Sequence, residues 1–245
     1  MSFSHYERCP KCSDNGRDRR GDNLACYADG GSHCFSCGYH RFPRGQVSTV
    51  SRQKVPVNDS KVLPPDFTRQ VPTIAWKWLL QYGLSWKYWQ PFVGWSEAHS
   101  RLVFTVGDPI QFSIGRYIQQ KETEEAPRKW WAYGNCHNRA HLIAPTAESL
   151  GKTVLVEDLI SAHKVGQITE CIPLFGVRAF DSVIRTIRHI GLPVLMWLDK
   201  DQEHLAPRRA SSLSLITGLE CTYVHTAQDP KSLSLEKIKE IVNEQ

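Results

Sequence analysis

No run in the 245 residues approaches the roughly 18 consecutive apolar residues that a membrane span requires. The opening Met-Ser-Phe-Ser-His-Tyr-Glu-Arg-Cys also has no apolar signal region, so the expectation is a soluble, cytoplasmic protein with no membrane partner. There is no Gly-x-x-x-x-Gly-Lys-Ser/Thr phosphate loop, which excludes the usual motor site of a helicase from this chain. Long internal repeats and low-complexity tracts are missing as well. Four of the eight cysteines, Cys26, Cys136, Cys171 and Cys221, fall at no spacing that suggests a disulfide framework. In a reducing compartment, regularly paired cysteines bind metal more often than each other.

The other four cysteines are so paired. Cys9-Pro10-Lys11-Cys12 and Cys34-Phe35-Ser36-Cys37 are two Cys-x-x-Cys knuckles separated by a short insert. Each knuckle supplies two sulfurs from one tight turn, and four thiolates complete a tetrahedral Zn²⁺ site. Cys26, His33 and His40 lie near but form no matched pair. The charge is uneven around this module. Residues 1–62 carry ten Lys/Arg against six Asp/Glu, most of the chain's net +5. A basic zinc module on a nearly neutral body points to nucleic-acid contact at that end.

Composition divides the chain. Residues 1–43 hold the knuckles, and the polar stretch 44–62 reads as a flexible linker. Residues 63–150 are aromatic and periodic. Helices are expected at 73–81, ending at Gly83, and at 85–90, capped by Ser85. Strands are expected at 101–106, 110–119 and 130–133. Trp76, Trp78, Trp86, Trp89 and Trp95 read as the packing of a compact subdomain rather than a base-stacking surface. From 151 to 245 strands (153–157, 171–175, 194–199, 221–226) alternate with helices (159–167, 180–189, 205–216, 233–243), predicting a largely parallel sheet covered on both faces.

The acids of this last region fall in a pattern. Glu157 ends the first strand and Asp199 the third; Asp201 follows two residues on, and Asp229 lies in the loop after the fourth. In a parallel sheet all strand C-termini share one edge, where ligands of open α/β folds bind. Converging carboxylates repel one another, and a hard divalent cation such as Mg²⁺ is their natural counter-ion. One or two such ions polarise a phosphoryl group and stabilise attacking and leaving oxygens.

Val156-Glu157-Asp158-Leu159-Ile160-Ser161-Ala162, followed by Leu198-Asp199-Lys200-Asp201, resembles the toprim domain of DnaG-type primases and topoisomerases. A four-cysteine zinc ribbon ahead of a toprim domain resembles the primase half of bacteriophage primase-helicase proteins. The resemblance implies an α/β fold: a toprim-type parallel sheet with flanking helices, preceded by a mixed α+β subdomain and a small zinc ribbon. It implies a DNA-dependent RNA primase, a nucleotidyltransferase that makes short primers for DNA replication, in the host cytoplasm if phage-encoded. Glu157 matches the glutamate proposed as general base or metal organiser, Asp199 and Asp201 the Asp-x-Asp ligands of Mg²⁺ (or Mn²⁺), and Asp229 a later acid.

Arg116, Arg128 and Lys129 are the candidates for nucleotide or template contact. His33, Arg17, Arg19 and Arg20 are the candidates for reading DNA, alongside a ribbon that only stabilises the fold. Partners implied are single-stranded DNA, ribonucleoside triphosphates, and a replicative helicase and DNA polymerase on separate chains. The chain departs from the family in two places. Asp158 and Ser161 replace the usual glycine and second acid, and Gln202-Glu203-His204-Leu205 stands where a glycine usually follows Asp-x-Asp. Rival readings are a non-catalytic recombination mediator of the RecR type, against which the zinc-first order argues, and a toprim nuclease.

Overall fold

The computed structural model describes residues 3–14, 16, 18, 21–28, 30–34, 36–37, 39–41, 62–118, 128–137 and 139–245. The linker expected at 44–62 falls outside them, save Val62. The chain divides into two compact units, Met1–Pro56 and Val57–Gln245.

The first unit is a small antiparallel sheet with a single helical turn. Its elements are β1 (Phe3–Glu7), α1 (Pro10–Asp14), β2 (Leu24–Tyr27), β3 (Ser32–Cys34) and β4 (His40–Arg41), with the strands in sheet order β1-β2-β3-β4. Its buried cluster holds Cys9, Cys12, Leu24, Cys26 and Cys34. So small an apolar core needs a metal or disulfide staple to hold a fold.

The second unit carries two sheets. Ahead of the first come α2 (Thr73–Leu80) and α3 (Trp86–Trp89). The chain leaves α2 through Gly83, at φ 84°, where a side chain would be strained. Ser85 caps α3 by accepting from the Tyr88 N–H at 3.3 Å. Strands β5 (Val93–Ser96), β6 (Arg101–Val106), β7 (Phe112–Tyr117) and β8 (Trp130–Tyr133) then form an antiparallel meander in sequence order. β5 is an addition to the expected elements, because its Val-Gly-Trp-Ser is short and interrupted by glycine. That glycine is required there: a Cβ on Gly94 would lie 2.3 Å from the Phe67 ring.

Of the five clustered tryptophans, Trp89 and Trp95 are in the core and Trp76 and Trp78 pack partly buried against it. Trp86 stands half exposed. The packing reading therefore holds for four of the five.

The second sheet is built from β9 (Thr153–Val156), α4 (Leu159–Val165), β10 (Glu170–Pro173), α5 (Asp181–Ile190), β11 (Val194–Trp197), α6 (Ala206–Thr217), β12 (Cys221–Tyr223) and α7 (Leu235–Glu244). Its four strands pair with one another in parallel, in the order β10-β9-β11-β12. Alternation along each strand sends side chains to both faces. Leu155, Ile172 and Met196 pack with Val183 and Ile187 of α5 and Ala210 and Leu213 of α6. Val154, Cys171 and Trp197 pack with Val165 of α4 and Ile238 and Val242 of α7. The mixed α/β fold with a helix-flanked parallel sheet is thus the one expected.

Helix α4 joins the two sheets. Leu159 and Ile160 are buried in the core of the antiparallel sheet, whereas Ala162 and Val165 belong to the parallel one. Burying two such aliphatic side chains is worth about 3–6 kcal/mol. That attachment fixes the start of α4, where Glu157 and Asp158 lie, against the strands β7 and β8.

Candidate active site and metal centre

In the first unit, the ligand atoms of Cys9, Cys12, Cys34 and Cys37 lie within 4.8 Å of one another. Cys9 Sγ is 3.5 Å from Cys37 Sγ, and Cys12 Sγ is 3.7 Å from Cys34 Sγ. A tetrahedron of thiolates about 2.3 Å from a zinc ion has sulfur–sulfur edges of about 3.8 Å, so the four side chains fit structural Zn²⁺. The Ser13 N–H donates to the Cys9 carbonyl at 2.8 Å, closing the first turn, and the Cys34 N–H donates to the Tyr39 carbonyl at 2.7 Å, spanning the second.

A residue not singled out in the sequence supports the first knuckle. Asp18 is buried and accepts from the backbone N–H groups of Cys9 at 2.6 Å, Gly21 at 2.9 Å and Asp22 at 3.2 Å. Burial raises its pKa, but these donors prevail and hold the carboxyl below its usual range. His33 is half-buried on β3, paired with Ala25 and His40 in the ladders. Arg17, Arg19 and Arg20 lie outside the described residues.

In the second unit, the C-terminal edge of the parallel sheet faces strands β7 and β8 across a cavity of about 630 Å³. Glu157, Asp158, Asp199, Asp201 and Asp229 line one side, with Lys231 among them. The four acids expected at this edge do come together there, although Asp201 is solvent-exposed. Burial first, and then the charges of Asp199 and Asp201, push the Glu157 carboxyl up to about 7. Burial and the Asp158 charge push Asp199 up to about 6. Glu157 Oε2 and Asp199 Oδ1 are both buried without a hydrogen-bond partner among the described residues. Buried carboxylate oxygens left unpaired require a partner, and oxygen donors of this kind suit a hard divalent cation. The donor set therefore fits Mg²⁺.

Asp158, which departs from the family pattern, caps α4. Its Oδ1 accepts from the N–H groups of Ile160 at 2.8 Å and Ser161 at 3.0 Å, and its Oδ2 accepts from Ser161 Oγ at 3.1 Å. Asp158 and Ser161, together one of the two departures from the toprim pattern, are therefore hydrogen-bonded to each other.

The opposite wall is basic and aromatic. Arg116 of β7 places its guanidinium carbon 5.0 Å from the Trp78 ring centroid and 5.3 Å from that of Trp130, a double cation–π contact. Its Nε and Nη1 are buried without a hydrogen-bond partner among the described residues. Burial lowers its pKa somewhat, yet a guanidinium stays charged at any physiological pH. Lys129 also lines the cavity. Arg128 does not, and is exposed beside it.

Arg101 underlies this wall, unanticipated from sequence. It is buried on β6 and donates to the carbonyls of Gly115 at 3.1 Å and Arg128 at 2.7 Å. A Cβ on Gly115 would meet Arg101 Cδ at 2.9 Å, so the neighbour of Arg116 has to be small. Lys231 was missed too, although its place two residues after Asp229, across Pro230, was a local signal.

No family model matches the chain, and no curated protein matches its sequence. Among solved structures, it is similar to the primase fragment of the bacteriophage T7 primase-helicase protein at 12% identity, covering 99% of this chain and 98% of that one with a TM-score of 0.46. It is also similar to the zinc-binding and RNA polymerase domains of the Aquifex aeolicus primase at 14% identity, covering 100% and 79% with a TM-score of 0.49.

Proposed function

We propose that this chain is a DNA-dependent RNA primase, joining ribonucleoside triphosphates on single-stranded DNA. The observation that carries the reading is one cavity with the carboxylates Glu157, Asp199, Asp201 and Asp229 on one side and Arg116 and Lys129 on the other. Nucleotidyl transfer needs both: acids to hold a divalent ion and cations to hold a polyphosphate. The toprim-like spacing of the acids and the four-thiol cluster support the same reading.

The reaction is attack of a ribose 3′-oxygen on an α-phosphorus, with the bond to pyrophosphate breaking. Glu157, Asp199 and Asp201 would hold Mg²⁺, which when bound would supply charge stabilisation for phosphoryl transfer. Arg116, which lines the cavity with its face covered by Trp78 and Trp130, offers its guanidinium to the triphosphate anion. Lys129 adds a second cation at the same wall. Glu157, its basicity raised by burial and by the charges of Asp199 and Asp201, accepts the 3′-hydroxyl proton. The thiol-held module selects the template site, with His33, Arg17, Arg19 and Arg20 contacting bases or phosphates. The chain's partners in this reading are a replicative helicase and a DNA polymerase.

The test is incubation with a library of short single-stranded DNA templates, Mg²⁺ and labelled ribonucleotides. Oligoribonucleotides that depend on both template and metal are expected. Cleavage of the DNA without synthesis identifies a nuclease, and binding without either reaction identifies a mediator; either result sinks the proposal.

A further inference from the structure

We propose that Lys231 is a fixed cation of the acidic edge, its ammonium standing where a second divalent ion would otherwise be held, so that the edge takes a single Mg²⁺. This inference rests on the reading of the edge as a metal site for nucleotidyl transfer.

Lys231 Nζ lies 2.7 Å from Asp199 Oδ2, 2.8 Å from Asp158 Oδ2 and 3.0 Å from Asp229 Oδ2. An ammonium has three donors and no acceptor, and here each donor meets a carboxylate. The side chain is only 17% exposed. The backbone is held as well: Lys231 sits in the 3₁₀ turn Pro230–Ser232, and its carbonyl accepts from Lys164 Nζ at 3.0 Å. A lysine with all its donors engaged is placed to neutralise the acids, not to reach a substrate.

Which oxygens remain decides the number of ions. Asp158 has none free: Oδ1 takes two backbone N–H groups, and Oδ2 takes Ser161 Oγ and Lys231. Asp229 gives Oδ1 to the Lys200 N–H at 3.1 Å and Oδ2 to Lys231. Left over are the Glu157 carboxylate and Asp199 Oδ1, unpaired among the described residues, and the exposed Asp201. That is the ligand set of one ion completed by water, as Mg²⁺ prefers. A second ion bridging Asp158, Asp199 and Asp229 would have to displace the ammonium.

The experiment counts Mn²⁺ bound by the zinc-loaded protein, read by electron paramagnetic resonance without nucleotide or template. One ion per chain is expected for the unsubstituted protein, and Asp199→Asn is expected to lose it. Lys231→Met and Lys231→Gln, which vacate the three carboxylates, are expected to bind two. Lys231→Arg, which keeps a cation, is expected to bind one. Two ions in the unsubstituted protein overturn the proposal even if the neutral variants fail to fold. A count of one in a folded neutral variant overturns it too. Because the count needs no catalysis, an absence of primer synthesis would sink the function while leaving this inference standing, and the reverse holds as well.

Discussion

His163 Nδ1 lies 2.7 Å from the Tyr88 hydroxyl, tying helix α4 of the parallel sheet to helix α3 of the antiparallel one. The imidazole is buried among the rings of Tyr88, Trp89 and Phe92, with His141 beside it.

This pair makes the fold sensitive to acid. Burial, reinforced by His141, lowers His163 to about 3, and burial lowers His141 to about 4. Unfolded, both rings protonate near about 6.5. Their folded values are depressed, so their contribution is complete above that pH and is lost as pH falls toward the folded values. Between pH 6.5 and pH 5 each ring is expected to cost at most roughly 2 kcal/mol. Denaturant unfolding at stepped pH checks this. The difference between the unsubstituted protein and His163→Gln isolates one ring, and parallel curves for the two would contradict the assignment.

Zinc content should follow the thiols. Metal analysis is expected to give one Zn²⁺ per chain, and none in Cys34→Ser. Asp18→Ala, which leaves the N–H groups of Cys9, Gly21 and Asp22 without their acceptor, is expected to weaken zinc retention against a chelator by about 10- to 100-fold. All eight tryptophans lie in the second unit, so their fluorescence serves as a folding control that the first unit does not contribute to.

Primer synthesis should depend on the acids to different degrees. Asp199→Asn is expected to lower kcat by at least about 100-fold, because a buried ligand is lost. Glu157→Gln is expected to lower it by about 10²- to 10⁴-fold, the usual range for a general base. Unchanged synthesis in either variant would remove that residue from the chemistry.

Arg116→Ala should raise the KM for ribonucleotides by about tenfold or more, the worth of a charge-assisted hydrogen bond. Arg116→Lys should recover it only in part, since an ammonium lacks the flat fork held between Trp78 and Trp130. Arg128→Ala, removing a side chain outside the cavity lining, should leave KM within about twofold. A larger effect at Arg128 than at Arg116 would reverse the placement of the basic wall.

Much of the site was legible because its signals are local. Cys-x-x-Cys spacing needs only a tight turn to bring two sulfurs together, and acids at the ends of strands 153–157 and 194–199 meet wherever those strands run parallel. Strand β5 was not legible, since four residues with a central glycine give no alternation. Asp18 and Arg101 were not legible either, and the nearness of Lys231 to Asp229 did not reveal its other partners: each is an ordinary charged residue whose significance comes from what it meets in the fold. Lys231 lies 73 residues from Asp158 in the chain, a separation across which no periodicity carries information.

The amino-acid order alone determined the element types of the parallel sheet, the four-thiol cluster and the convergence of Glu157, Asp199, Asp201 and Asp229, because short-range hydrophobic pattern and strand direction suffice for each. Only the tertiary structure decided which charges face that edge. Packing of α4 across both sheets brings Arg116 and Lys129 to the opposite wall, leaves Arg128 out, and buries the ammonium of Lys231 among three carboxylates. Those are long-range outcomes of burial and electrostatics, settled when distant segments exclude water from between them.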